Sequence, residues 1–234
     1  MKRVYDFLSR LNQNNNREWF EAHKAEYVQA QAIFNQFVEE LIVEIATWDE
    51  EIDPNFLKVK DCTYRIYRDV RFSKNKLPYK THMGAFICKG GKKAPYSGYY
   101  FHLEPKQDTQ YLGENLLFVG LYCPQPKIVK SIRDEISVNG DSFIHAIEKA
   151  KGYKITTMEP LKDNILKRVP KGYENVKPEW QEFIKYKNFS LDKELSNEFV
   201  FAPNLAKRVS GEFKTAHEFS MVLNLAVQYA LDEM

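Results

Sequence analysis

Apolar positions along the first fifty residues recur at the three- and four-residue steps of a helix. Val4, Phe7, Leu8 and Leu11 share one face of a short first helix. Asn14, Asn15 and Asn16 interrupt it, because Asn side chains compete for backbone groups and favour caps and turns. Asn15 or Asn16 is placed to cap a second helix, with Glu18 complementing the positive end of its dipole. In that helix Trp19/Phe20, His23, Tyr27, Phe34, Phe37/Val38, Leu41, Ile45 and Trp48 keep the helical period. No Gly or Pro occurs from Arg17 to Trp48, so the spacing predicts one helix of about eight turns that Asp53-Pro54 ends.

After Leu57 the pattern changes to β structure. Thr63 to Phe72 is rich in β-branched and aromatic residues and predicts a strand. A loop from Ser73 to Lys80, broken by Pro78, leads to a second strand over His82–Cys88. Gly90-Gly91 marks a turn, Gly98–Glu104 forms a third strand stopped by Pro105, and Leu116–Tyr122 a fourth. Such short connections predict an antiparallel meander.

Helical spacing then returns. Pro124 and Pro126 precede Ile128, Val129, Ile132 and Ile136, and Asn139-Gly140 turns into Ser142–Ile147. Pro178 opens a short helix, and Pro203 a closing helical region with nearly continuous apolar residues from Met221 to Leu231. No repeat or low-complexity linker appears. The expected fold is one α+β domain over residues 1–234, helical over 1–53, mainly β over 57–123 and mainly helical over 124–234. An antiparallel sheet of about four or more strands would pack against the N-terminal and C-terminal helices.

The 234 residues are 44% hydrophobic, enough for a packed core, yet no apolar run reaches the roughly 18 residues that a bilayer span requires. Met1 to Asp6 carries two cations with no apolar segment behind them, unlike a secretory leader. Cys62, Cys88 and Cys123 are dispersed, which fits neither a disulfide framework nor a zinc knuckle; they read as small core hydrophobes. A cytoplasmic location without membrane association is expected. Cys88 to Lys93 lacks the spacing of a phosphate-binding loop, and neither GxGxxG nor GxSxG occurs, so no cofactor is expected.

The formal net charge is only +2, but it is unevenly spread. From Phe56 to Pro95, eleven basic residues face only Asp61 and Asp69, so that segment carries +9 and the remainder −7. Strand alternation would put Arg65, Tyr67, Asp69 and Arg71 on one face. Tyr64, Ile66, Arg68, Val70 and Phe72 would lie on the core side, with Arg68 an anomaly. On the third strand Tyr100, His102 and Glu104 share a face opposite Tyr99, Phe101 and Leu103. If the polar faces coincide, a pocket gathers Arg65, Asp69, Arg71, His102 and Glu104, with His82 and Lys80 at its edge. Planar guanidinium groups suit carboxylate or phosphate, although one face of an antiparallel sheet is often simply solvated.

Three functional readings follow. In the first, Arg65, Tyr67, Arg68, Arg71, Lys74, Lys76, Lys80 and Tyr100 bind an anionic small molecule or a short oligomer. Nucleic acid is the lesser case, since the patch is confined and the net charge low. In the second, an enzyme acts on an anionic substrate, with His82 or His102 paired to Glu104 or Asp69 as acid and base. In the third, the arginines are neutralised by acidic residues of the helices. His102 and Glu104, with His82 or Asp69, also form a mixed nitrogen and oxygen donor set, but the neighbouring arginines oppose a cation and no metal is expected. Ser73, Thr81 and Cys88 lie near His82 in sequence, and no spacing selects one as a nucleophile.

Several stretches also resemble one family. Asn14-Asn15-Asn16-Arg17-Glu18-Trp19-Phe20, Arg65-Ile66-Tyr67-Arg68-Asp69-Val70-Arg71-Phe72-Ser73-Lys74, Pro78-Tyr79-Lys80-Thr81-His82, Gly98-Tyr99-Tyr100 and Lys167-Arg168-Val169-Pro170-Lys171-Gly172-Tyr173 are similar to a widespread family of uncharacterised microbial proteins, a domain of unknown function. The resemblance covers nearly the whole chain. It implies that the Asn-rich opening and the basic segment belong to a family pattern, and it brings no catalytic role with it.

Overall fold

The amphipathic opening folds as its periodicity predicts. A computed structural model describes residues 1–106, 112–156 and 165–232. Helix α1 (Lys2–Gln13) buries Val4, Phe7, Leu8 and Leu11. Each Asn that follows has its own backbone partner. Asn14 donates to Arg10 O, Asn15 exchanges two bonds with the backbone of Tyr79, and Asn16 caps α2 (Arg17–Ala22) by accepting from Trp19 N. The expected single long helix is two, α2 and α3 (Lys24–Ala46), because His23 leaves helical geometry at φ −111° and ψ 17°. Its ring bonds Trp19 O at 2.7 Å and stacks on the Trp19 ring, so the break is held by a side chain rather than by Gly or Pro.

The residues divide into two compact units. Unit 1 holds Met1–Lys92, Tyr100–Leu117 and Glu194–Gly211; unit 2 holds Lys93–Tyr99, Phe118–Lys193 and Glu212–Met234. In unit 1, α1 packs on α3, and both α3 and the short α4 (Val59–Cys62) contact β1 (Met83–Ile87). Phe34 and Phe37 of α3 meet Phe101 of β2 (Gly98–Leu103).

Strand β3 (Asn115–Leu121) completes the predicted meander. Two strands were not anticipated, β4 (Lys154–Ile155) and β5 (Phe189–Leu195). The five form one antiparallel sheet in the order β1-β2-β3-β5-β4, which with the flanking helices makes the chain α+β.

In unit 2, α5 (Pro126–Lys149) packs on α6 (Pro178–Ile184) and α9 (His217–Asp232). Asn139-Gly140 kinks α5 instead of ending it. Helices α7 (Asn197–Phe201) and α8 (Leu205–Thr215) lie between β5 and α9 in the chain. No helix among the described residues is long and apolar enough to cross a membrane.

The largest departure from expectation is the basic stretch. Thr63–Phe72 is not a strand; only isolated bridges, Thr63 to Ala85 and Tyr67 to Tyr79, tie it down. Arg68 N donates to Pro78 O and Lys80 N to Ile66 O, so residues 66–80 double back as a two-rung loop. Polar side chains compete with the ladder at its tip. Asp69 accepts from Arg71 N, Asn75 from Leu77 N, and Lys76 reaches Val70 O. Of the residues expected on the core side only Ile66 is buried, while Phe72 is 96% exposed. The arginines therefore do not form a sheet face.

Gly120 sits at φ +136° where β3 meets β5, and a Cβ there would fall 2.2 Å from Phe189 O. The clash is with backbone, which cannot rotate away. Gly120→Ala is therefore expected to cost about 3 kcal/mol or more through strain and overpacking, read as a lowered urea midpoint. A midpoint within 0.5 M (about 1 kcal/mol) of the parent would contradict this close strand approach.

Candidate active site

Residues two apart on a strand point the same way, and on β2 this aligns Tyr100, His102 and, just past its end, Glu104. The three form a continuous hydrogen-bonded chain. Tyr100 Oη lies 2.9 Å from His102 Nδ1, and His102 Nε2 lies 3.0 Å from Glu104 Oε2. His102 and Glu104 are wholly buried.

A buried carboxylate needs several donors to offset its lost hydration, and Glu104 has them. Thr81 Oγ1 donates to Oε1 at 3.1 Å, and Oε2 accepts from His102 and from the backbone N–H groups of Leu112 and Gly113, each at 3.0 Å. Gly113 has φ +74°, which lets the turn aim its N–H inward. The Glu104 backbone N–H is held in turn by Asn115 Oδ1.

This network sets the proton order. Glu104 is acceptor-only when ionised, so His102 carries its proton on Nε2 and leaves Nδ1 to accept from the Tyr100 hydroxyl. Burial pushes the Glu104 carboxyl up, but the hydrogen bonds from His102 and the two backbone N–H groups outweigh it and hold the group well below its usual range. His82 packs tilted against His102, with ring centroids 4.6 Å apart and planes at 34°. Burial lowers its pKa, a second proton on His102 and the Lys80 and Arg68 charges would each lower it further, and Glu104 opposes them.

Small residues shape the front of the site. A Cβ at Gly84 would lie 2.3 Å from Tyr100 Oη, so glycine leaves the room that the phenol fills. Tyr64 meets Tyr100 edge-on at 6.3 Å, and the ammonium groups of Lys80 and Lys92 lie 5.5 and 5.8 Å from the Tyr64 ring centre. Burial and the nearby Arg65 charge lower the Lys80 pKa. A cavity of about 20 Å³, the size for one water, reaches His82 between Gln31, Asn35, Thr63 and Tyr64.

The structure thus brings His82, His102, Glu104, Tyr100 and Lys80 together. Asp69 stays outside, exposed and paired in a fork with Arg71 at 3.0 and 2.6 Å. Arg65 and Arg68 act on the cluster through their charge, while Arg68 itself donates to Leu77 O. Tyr67 packs on Phe20 and Tyr79, Lys76 is tied to its own loop, and Lys74 is exposed.

Among the nucleophile candidates, Thr81 gives its proton to Glu104, and burial pushes the Cys88 thiol up to about 12. Thr81 as a carboxylate donor, the Leu112-Gly113 turn and Lys92 escaped the sequence reading. Only two glycines offered a signal, Gly84 as a marker of close approach and Gly113 as a marker of a turn. The donor atoms of His82, His102 and Glu104 lie within 4.8 Å of one another, as a cation would require. The carboxylate is already saturated by four donors, however, and Lys80 and Arg68 add positive charge.

The cluster also sets an acid limit on stability. Both His82 and Glu104 titrate lower folded than unfolded, so each contributes stability that is present above its unfolded pKa and is lost as pH falls. For His82 the loss starts below about pH 6.5, and for Glu104 below about pH 4.3. His82→Gln should flatten the stability profile below pH 6.5, seen as a smaller drop in Tm between pH 7 and 5; an unchanged drop would contradict a half-buried imidazole held neutral.

A family described as "Conserved hypothetical protein (DUF2461)" matches residues 3–221. No curated protein and no solved structure matches the chain. The family match takes in the Asn-rich opening, the basic loop and every residue of the Tyr100–His102–Glu104 site, so the chain belongs to this family of conserved hypothetical proteins.

Proposed function

We propose that unit 1 carries an acid–base site acting on a small anionic substrate bearing a carboxylate or phosphate. The observation that carries this reading is the buried chain Tyr100–His102–Glu104. A phenol at the partly open end is backed by an imidazole whose tautomer a carboxylate fixes, the arrangement that makes a hydroxyl a competent proton carrier.

In the forward step the Tyr100 hydroxyl proton passes to His102 Nδ1 as Tyr100 Oη takes a proton from the substrate. Glu104 stabilises the imidazolium, and the reverse transfer returns the proton to the product. Lys80 and Lys92, flanking Tyr64 beside the phenol, supply the charge that would hold the substrate anion, and Arg65 adds to it.

The purely structural alternative has less support. Among the described residues no helix carboxylate pairs with Arg65, Arg68 or Arg71; the acid that meets Arg71 comes from its own loop.

The test begins with a thermal-shift screen of small carboxylates and phosphates, followed by turnover of the hits monitored by proton and phosphorus NMR. Tyr100→Phe should keep the shift and lower turnover about 10²–10⁴-fold. Glu104→Gln, which releases the imidazole tautomer, should lose a similar factor. Lys80→Ala should weaken the shift itself. Turnover indifferent to Tyr100→Phe would refute the relay, and so would a parent protein that turns over no hit.

Gly84→Ala provides an independent check on geometry. Its methyl group displaces the phenol, so turnover should fall as in Tyr100→Phe although no reacting group has been removed.

A further inference from the structure

Unit 2 contains a cleft of about 710 Å³, within the range of small-molecule sites. It lies between one face of α5 and the segment 170–177 that leads into α6. The segment includes part of the Lys167–Tyr173 stretch, which the acid–base site does not use.

Four cations line the cleft, Lys130, Arg133, Lys171 and Lys177, against one carboxylate, Asp134. That carboxylate is already taken, by Lys130 at 2.6 Å and by the Tyr173 hydroxyl at 2.6 Å. Lys177 pairs with Asp141 at 3.0 Å and lies over the Trp180 ring, which closes that ring face to stacking. Arg133 differs from these. Its Nε and Nη2 donate to Ile184 O and Tyr186 O at 2.8 and 3.1 Å, so neutral carbonyls fix the guanidinium in place without cancelling its charge. Lys171 rides on a turn that Gly172 makes at φ +97°, where its N–H is tied to Glu174. No carboxylate among the described residues pairs with Arg133 or Lys171.

We propose that this cleft binds a small molecule carrying a multiply charged oxyanion group, phosphate or carboxylate, with Arg133 and Lys171 making the principal charged contacts. An immobilised guanidinium loses little freedom on binding and offers its remaining N–H groups as a fork. Lysine on a turn supplies a second, adaptable charge. Because Trp180 is covered, recognition rests on charge and hydrogen bonding rather than on an aromatic stack.

Isothermal titration with inorganic pyrophosphate and with citrate, at low and high salt, tests the site. Binding should appear with at least one probe and weaken at high salt. Lys171→Ala, which removes no hydrogen bond or ion pair seen among the described residues, should weaken it about tenfold, as expected for one charge-assisted bond. Arg133→Gln should weaken it further, and Lys80→Ala in unit 1 should leave it unchanged. The absence of heat with both probes would overturn the assignment. So would affinity untouched by Lys171→Ala, or affinity lost with Lys80→Ala alone. Should Arg133→Gln fail to fold, Lys171→Ala decides the matter.

Discussion

The site depends on one constraint, a carboxylate out of contact with water that must be satisfied entirely from within. Leaving an ionised side chain buried and unpaired costs several kcal/mol even after relaxation. Glu104 avoids that cost through donors from three separate places: Thr81 ahead of β1, His102 on its own strand, and the turn at Leu112-Gly113. Each donor fixes a piece of chain. The turn needs a glycine at positive φ, Thr81 anchors the approach to β1, and the imidazole is locked in one tautomer. The orientation of Tyr100 is the last consequence, since its hydroxyl meets the one imidazole nitrogen that the carboxylate leaves as acceptor.

Part of this was legible in the sequence because the governing rules are local. Period-two alternation placed Tyr100, His102 and Glu104 on one side of a strand, and helical spacing found α1, much of α3 and the buried face of each. The cap of α2 was recognisable to within Asn15 or Asn16, and the structure gives Asn16. What escaped depends on partners remote in sequence or on competition between side chain and backbone. The break at His23 is made by a ring bonding a carbonyl one turn back, which no composition rule flags. Residues Thr63–Phe72 have every preference for a strand, yet Asp69, Asn75 and Lys76 bind the backbone themselves and Pro78 supplies no donor. Strand β5 carries a fully buried Asp192, so its sequence reads as too polar for a sheet interior.

The basic loop contributes to the site in a way that alternation alone could not reveal. Arg71 is neutralised by Asp69, and Lys76 is held by carbonyls of its own loop. Lys80, Arg65 and Arg68 instead raise the local potential around His82 and the front of the relay. Burial, with the crowding of like charge behind it, keeps His82 neutral, and that charge also works against a cation among the three donors. The charges that count against a metal are thus the ones on which the proposed anion binding rests.

Charge density along a sequence is therefore a poor guide to charge available for binding. In the segment richest in Lys and Arg, Arg71 is neutralised by Asp69 of its own loop in an exposed pair, and such pairs contribute little. The cleft of unit 2 draws Lys130, Arg133, Lys171 and Lys177 from positions up to 47 residues apart, all of them outside the densely basic segment 56–95. What distinguishes Arg133 is the nature of its partners. Carbonyl groups hold a guanidinium still and leave its field intact, whereas a carboxylate would hold it still and cancel it. An arginine bonded only to backbone and lining a cavity is thus a stronger indication of a ligand than several arginines crowded together on an exposed loop.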